Sequence, residues 1–173
     1  DLKKACLLLS GGVDSALLAL LLKSRINLFC ITSGAKGSRD ILLAKKLART
    51  HNLNHKVIYI TKRMIDEELN QIMNSIGSFA AMQVGAAINE YFCIKEAKKK
   101  GYDTFFMGTG VDTLFAGLDF YNLGKVAKGR RCKKFWKELN FILEQERKIG
   151  KGFDTTRLNT LAQNLNVEIR LPF

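Results

Sequence analysis

Four short apolar runs set the rhythm of this chain, separated by longer stretches in which apolar residues return every three or four positions. The first run, residues 5–9, has the length of a buried parallel strand. It breaks at Ser10-Gly11-Gly12, and a helical pattern covers about residues 14–24. The second run, 27–32, has Leu28-Phe29-Cys30-Ile31 as its core and ends in a loop of small residues, 33–37. Ser38 is placed to cap a helix reaching about His51, with Asp40 in its first turn. Ile41, Ala44, Leu47 and Ala48 form the inward face of that helix, and Lys45, Lys46 and Arg49 the outward one. Residues 56–60 are the third run. Thr61 then opens a helix with Ile65, Leu69, Ile72 and Met73 on its buried side. A longer helix over about 78–100 is expected to bury Met82, Ala86, Tyr91 and Ile94. The fourth run, 103–107, leads into Gly108-Thr109-Gly110-Val111-Asp112 and another helix, and two more helices are expected near 133–147 and 154–164.

Strands alternating with helices predict an α/β fold: a parallel sheet of four to five strands, helices on both faces, and C-terminal helices. Ligands of such sheets bind at the carboxyl ends of the strands, where the strand order reverses. Three loops of small residues fall at those ends, 10–15, 33–37 and 108–112.

Composition adds three constraints. At 173 residues the chain reads as a single domain, large enough to bury about 70% of its unfolded surface. With 47% hydrophobic and 25% charged residues it has an ordinary globular balance, and no apolar run approaches the ~20 residues of a membrane helix. Residues 1–4 feed directly into the first strand, and Cys6, Cys30, Cys93 and Cys132 form no paired motif, so a cytoplasmic protein with reduced thiols, no signal peptide and no membrane contact is expected. The net charge of +12 is the unusual feature, and residues 125–137 carry seven basic side chains and no acidic one. Such a surface attracts RNA or other polyanions, or it is a solvated rim.

The first loop carries the most chemistry. A strand, a glycine turn and a helix N-terminus together make an anion site, because the first-turn amides have no intrahelical partner and the helix dipole favours negative charge. Ser10 and Ser15 add hydroxyls, and Gly11 and Gly12 allow close backbone approach to phosphate oxygens. Asp14 beside phosphates implies a cation between them, and Mg²⁺ is the usual one. The string Ser10-Gly11-Gly12-Val13-Asp14-Ser15 resembles the PP-loop of the N-type ATP pyrophosphatases (the HUP-type, adenine nucleotide alpha hydrolase-like fold). The resemblance implies cleavage of ATP between the α and β phosphates.

Further segments resemble the C-terminal synthetase domain of asparagine synthetases. They are Gly37-Ser38-Arg39-Asp40-Ile41, the 108–117 segment, Asp154-x-x-Arg157-x-Asn159, and the tail Val167-Glu168-Ile169-Arg170-Leu171-Pro172-Phe173. By that resemblance Ser10, Gly11, Gly12, Asp14 and Ser15 would hold pyrophosphate, and Leu8, Ser33, Gly34, Met107 and Gly108 would line the adenosine. Asp14 and Asp112 would bind Mg²⁺. Asp112, Asp154 and Arg157 would serve the reaction, the last two around an acidic substrate; on spacing alone Asp154 and Arg157 would form a surface pair of little worth. The sequence departs from the family at Thr109 and Thr113, each standing where the family has Glu, and at Leu118, where it has Tyr. The family's glutaminase domain and its region beyond the tail motif are not matched, so a synthetase-like domain lacking its C-terminal continuation is expected.

Three functions follow from the resemblance and the charge. One is an AMP-forming ligase that takes ATP, Mg²⁺, an aspartate-like carboxylate and ammonia or an amine. Another is a PP-loop enzyme acting on tRNA. The last is an ATP- or AMP-binding module that has lost its chemistry with Glu-to-Thr replacement. Homo-oligomerisation is left open by the sequence.

Overall fold

The computed structural model describes residues 2–109 and 153–171. The chain divides into two compact units, Asp1–Gly108 with Arg157–Pro172, and Thr109–Thr156 with Phe173. The first unit is a five-stranded sheet with helices on both faces.

The elements run β1 (Lys4–Leu8), α1 (Val13–Leu22), β2 (Asn27–Gly34), α2 (Arg39–Thr50), β3 (Asn54–Tyr59), α3 (Lys62–Ile76), α4 (Ala81–Lys98), β4 (Thr104–Phe106), α5 (Phe153–Leu165) and β5 (Glu168–Arg170). All four ladders are parallel, and the strand order is β3-β2-β1-β4-β5. The order grows outward from β1 in one direction and then jumps to β4 on its other side. The gap between the carboxyl ends of β1 and β4 is therefore the switch point at which such sheets bind ligands.

Alternation along the strands feeds two cores. Ala5, Leu7, Leu9, Leu28, Cys30 and Phe106 pack with Leu18 and Ala19 of α1 and Ala44 of α2. Cys6, Phe29, Ile31, Phe105 and Met107 face the other way, toward α3, α4 and α5. Runs buried on both sides are what a parallel sheet covered by helices requires. Burial pushes the Cys30 and Cys93 thiols up to about 12 and Cys6 higher still, so these three free cysteines behave as small apolar core residues.

Helix boundaries follow local chemistry. Thr61 caps α3 by accepting a hydrogen bond from the Met64 amide, and Gly77 ends the helix in the left-handed conformation, φ 62°. Ser38 precedes α2 as expected, but its hydroxyl makes no cap bond and finds no hydrogen-bond partner among the described residues.

Several expectations shift. β2 continues through Ser33 and Gly34, which pair with Ile58 and Tyr59 at the end of β3, and β3 itself starts two residues before its apolar run, where Asn54 and His55 pair with Phe29 and Cys30. In α4 the buried stripe is Val84, Ala87, Tyr91 and Ile94, joined by Phe92, Cys93 and Ala97, whereas Met82 is 83% exposed and Ala86 also faces solvent. That helix is apolar nearly all round, so its periodicity did not fix which face turns inward. β5 comes from the alternating tail 167–171, which reads as a motif rather than a strand until β4 provides its register, Phe105 opposite Ile169. The helices expected after the 108–112 loop and near 133–147 lie outside the described residues.

Candidate functional site

β1 delivers the glycine loop to the switch point. Leu9 is fixed by its amide bonding to the Ile31 carbonyl at 2.8 Å, and the chain then turns sharply at Gly11, φ 82°. A Cβ at Gly11 would stand 2.7 Å from the Ala44 amide nitrogen and 2.7 Å from Leu43 Cβ, so both its conformation and its contact with α2 demand glycine. Gly12 is the N-cap of α1 and brings no side-chain cap. The first-turn amides of α1 therefore point out of the loop without a side-chain acceptor, which is the condition for anion binding at a helix start.

The two serines divide the work. Ser15 is buried; its Oγ accepts from the Ser10 amide at 3.2 Å and donates to the Gly12 carbonyl at 3.2 Å. Ser10 is exposed; its hydroxyl lies 3.0 Å from Ser15 Oγ and accepts from the Gly12 amide at 3.3 Å. Ser15 thus braces the loop from beneath while Ser10 remains at its surface. Asp14, half-buried, is the one carboxylate in the first turn of α1.

Across the gap, Gly108 closes on this loop. A Cβ there would lie 3.1 Å from Asp14 Cβ and 3.2 Å from the Ser15 amide nitrogen. Met107 is 2% exposed and its side chain belongs to the core, so only its backbone can face a ligand. On the other flank, the Ser33 hydroxyl reaches Asn89 of α4, with the Asn89 carbonyl at 3.0 Å and Oδ1 at 3.2 Å, and Gly34 follows it at the end of β2. Leu8 is half-buried in β1 beside Ile31.

A second layer was not visible in the sequence. Thr32 Oγ1 donates to the Leu9 carbonyl at 2.5 Å and lies 2.8 Å from His55 Nε2, linking β3, β2 and the last residue before the glycine loop. Since the threonine proton goes to Leu9, His55 Nε2 is the donor to the threonine oxygen. Burial, and then Lys45, hold the His55 imidazolium below its ordinary range. An apolar run with one Thr, and a lone His in the next strand, become a chain only once the register Cys30–His55 and Thr32–Val57 is known.

The substrate-side expectations are placed differently. Arg157 is buried in α5 and forms an ion pair with Glu90 of α4, so it is not a solvated surface residue. Thr109 is half-buried just past β4. Asp112 and the side chain of Asp154 lie outside the described residues, as does the basic stretch 125–137. No helix among the described residues is long and apolar enough to cross a membrane.

Comparison with known proteins agrees with the loop. The family model for asparagine synthase matches residues 2–170. The chain is 29% identical over 172 residues to a putative glutamine-hydrolysing asparagine synthetase of Methanocaldococcus jannaschii, covering 99% of this chain and 31% of that protein. It is 27% identical over 179 residues to the glutamine-hydrolysing asparagine synthetase of Gallus gallus, covering 96% of this chain and 29% of that protein. It therefore spans about a third of the length of these relatives. Among solved structures, a predicted subunit of tRNA methyltransferase from Methanocaldococcus jannaschii aligns with TM-score 0.49 at 20% identity, over 99% of this chain and 68% of that one. An NH3-dependent NAD synthetase from Campylobacter jejuni aligns with TM-score 0.48 at 20% identity, over 95% and 82%. With its glycine loop at the switch point of a parallel sheet and the family match running almost end to end, this chain belongs to the asparagine synthase family of PP-loop proteins.

Proposed function

We propose that this domain binds ATP at the carboxyl edge of its sheet and uses it to activate a small, aspartate-like carboxylate. A carboxylate oxygen attacks the α-phosphorus, the bond to the bridging oxygen of the β-phosphate breaks, and pyrophosphate leaves. Ammonia or an amine then displaces AMP from the acyl-adenylate, losing a proton, to give an amide. The observation that carries this reading is the closure of Gly108 onto Asp14 and Ser15 beside the start of α1, which leaves first-turn amides without a capping side chain at the place where phosphates would lie.

In this reading Ser10 and the amides that follow it receive the leaving pyrophosphate, placing fixed donors where negative charge develops. Ser15 holds the loop in that shape. Gly34 and the backbone of Met107 and Gly108 leave room for the adenosine. Asp14 fits a Mg²⁺ ligand, since this ion takes one or two carboxylates together with phosphate oxygens, and Asp14 is half-buried beside the amides that would face those phosphates. Asp112 would be the second carboxylate. A Mg²⁺ held by these carboxylates would supply charge neutralisation for the departing pyrophosphate. Arg157, paired with Glu90 inside the fold, would act on the substrate side by positioning α5 and the Asp154 it carries.

Release of pyrophosphate from ATP and Mg²⁺, scanned over acidic amino acids with and without ammonia, tests the reading. Release that depends on an acidic amino acid and ammonia, yields an amide and is lost in Asp14→Ala supports it. The net charge of +12 favours a second reading, in which the adenylated group belongs to a tRNA. Release stimulated by tRNA and not by any amino acid would select that alternative. ATP binding with no release under either condition would leave a nucleotide-binding module.

A further inference from the structure

We propose that the amino-terminal edge of the sheet, opposite the ATP loop, is a binding surface for the phosphate backbone of nucleic acid. In a parallel sheet every strand start, and the C-terminal end of each helix that leads directly into the next strand, falls at this edge. Here those segments concentrate cations: Lys3 and Lys4 at the start of β1, Lys23 and Arg25 after α1, and Lys98 and Lys100 after α4. None of these six has an ion-pair partner among the described residues. Of the acids nearby, Glu168 is engaged by Arg170 at 2.8 Å and by Thr104 at 3.2 Å. That leaves Asp103.

Contacts hold four of these cations in place. Lys23 Nζ donates to the His51 carbonyl at 3.2 Å, and Lys98 Nζ to the Leu165 carbonyl at 2.5 Å. These two compensate helix ends, which accounts for them without a ligand. The other four are not explained that way. Phe29 and Tyr102 stack with centroids 5.2 Å apart, and an ammonium is seated on each ring: Lys4 Nζ 5.5 Å from the Tyr102 centroid, Lys100 Nζ 5.3 Å from that of Phe29. Cation–π contact holds both charges in place while leaving them unneutralised. Such like charges gain when a polyanion arrives. Five strands at about 4.8 Å spacing make an edge about 19 Å across, the axial length of five or six nucleotides of one duplex strand. A lipid surface fits less well, since of the exposed large apolar side chains among the described residues only Leu21 comes near this edge.

The inference is independent of the ligase reading. The test is fluorescence anisotropy of labelled 20-mers (single-stranded RNA, duplex RNA and duplex DNA) against the full chain, at salt from 50 to 200 mM. Four phosphate contacts predict a log–log salt slope of about −3 to −4 and about a hundredfold loss of affinity across that range. The arms with RNA and DNA distinguish the source of the backbone. Lys4→Glu/Arg25→Glu/Lys100→Glu should lose more than tenfold in affinity and flatten the slope, with ATP binding unchanged. Lys3→Gln/Arg25→Gln, which touches no ring and no partner, should flatten it by about two, so the result does not depend on the first variant folding. Affinity unchanged in both variants overturns the proposal. So does loss only on neutralising the cations of 125–137, or binding to anionic vesicles with none to nucleic acid.

Discussion

Gly11 and Leu43 meet where no side chain can stand between them: a Cβ on Gly11 would fall 2.7 Å from Leu43 Cβ and 2.7 Å from the neighbouring Ala44 nitrogen. The glycine loop is therefore shaped by helix α2 as well as by its own strand and helix. Gly11→Ala should lose about 2–4 kcal/mol of stability, combining a left-handed alanine with overpacking against backbone. Urea unfolding and ATP affinity should fall together. Gly12→Ala is the control. Gly12 has φ −72°, and its nearest obstacle is Ser10 Oγ at 3.4 Å, so it should fold normally and weaken ATP alone.

Ser10 and Ser15 should separate in a double measurement. Ser15→Ala removes a buried hydroxyl that accepts one loop amide and donates to one loop carbonyl, and is expected to destabilise by about 1–2 kcal/mol. Ser10→Ala, at the exposed surface of the same loop, should stay within about 0.5 kcal/mol of the parent and raise the Kd for ATP. Equal stability losses for both would refute the division of roles.

Glu90 and Arg157 should show strong coupling. The Arg157 side chain is 2% exposed and that of Glu90 12%, so removing either partner breaks a largely buried ion pair. Arg157→Met should destabilise by about 3 kcal/mol, and Glu90→Gln/Arg157→Met by less than the single change. If the pair positions the substrate side, the double variant will also raise KM for the carboxylate more than it lowers kcat.

Much of this was legible in the chain itself, and the reasons differ by element. The strand runs at 5–9 and 27–32 were readable because both faces of a central parallel strand are buried, leaving an unbroken apolar signal. The glycine loop was readable because its residue types are dictated by local backbone geometry. The inward face of α4 was not: Met82 and Val84 are both apolar, and only packing against α3 and α5 decides between them. Ser15 as a brace rather than a surface ligand was equally hidden, since burial of a hydroxyl depends on what lies across the turn. The Thr32–His55 link needed strand register, which no local pattern carries.

That link gives a pH dependence with a definite sign. Burial and Lys45 lower the His55 pKa beneath its ordinary 6.5, so the unfolded chain takes up a proton that the folded chain refuses. Stability from His55 is complete above pH 6.5 and is lost as pH falls from there toward the depressed folded value. The urea midpoint of the parent should drop between pH 7.5 and 5.5. His55→Gln keeps an N–H donor for Thr32 but cannot titrate, so its midpoint should change less over the same interval. Lys45→Met removes the smaller of the two causes and should move the His55 titration, followed by NMR, upward without reaching that of a free histidine. Because Thr32 donates a hydrogen bond to the carbonyl of Leu9, the residue that leads into the glycine loop, ATP affinity should weaken over the same interval in the parent and hold steady in His55→Gln. A His55 titration midpoint above 6.5, or identical pH profiles for parent and variant, would remove His55 from this role.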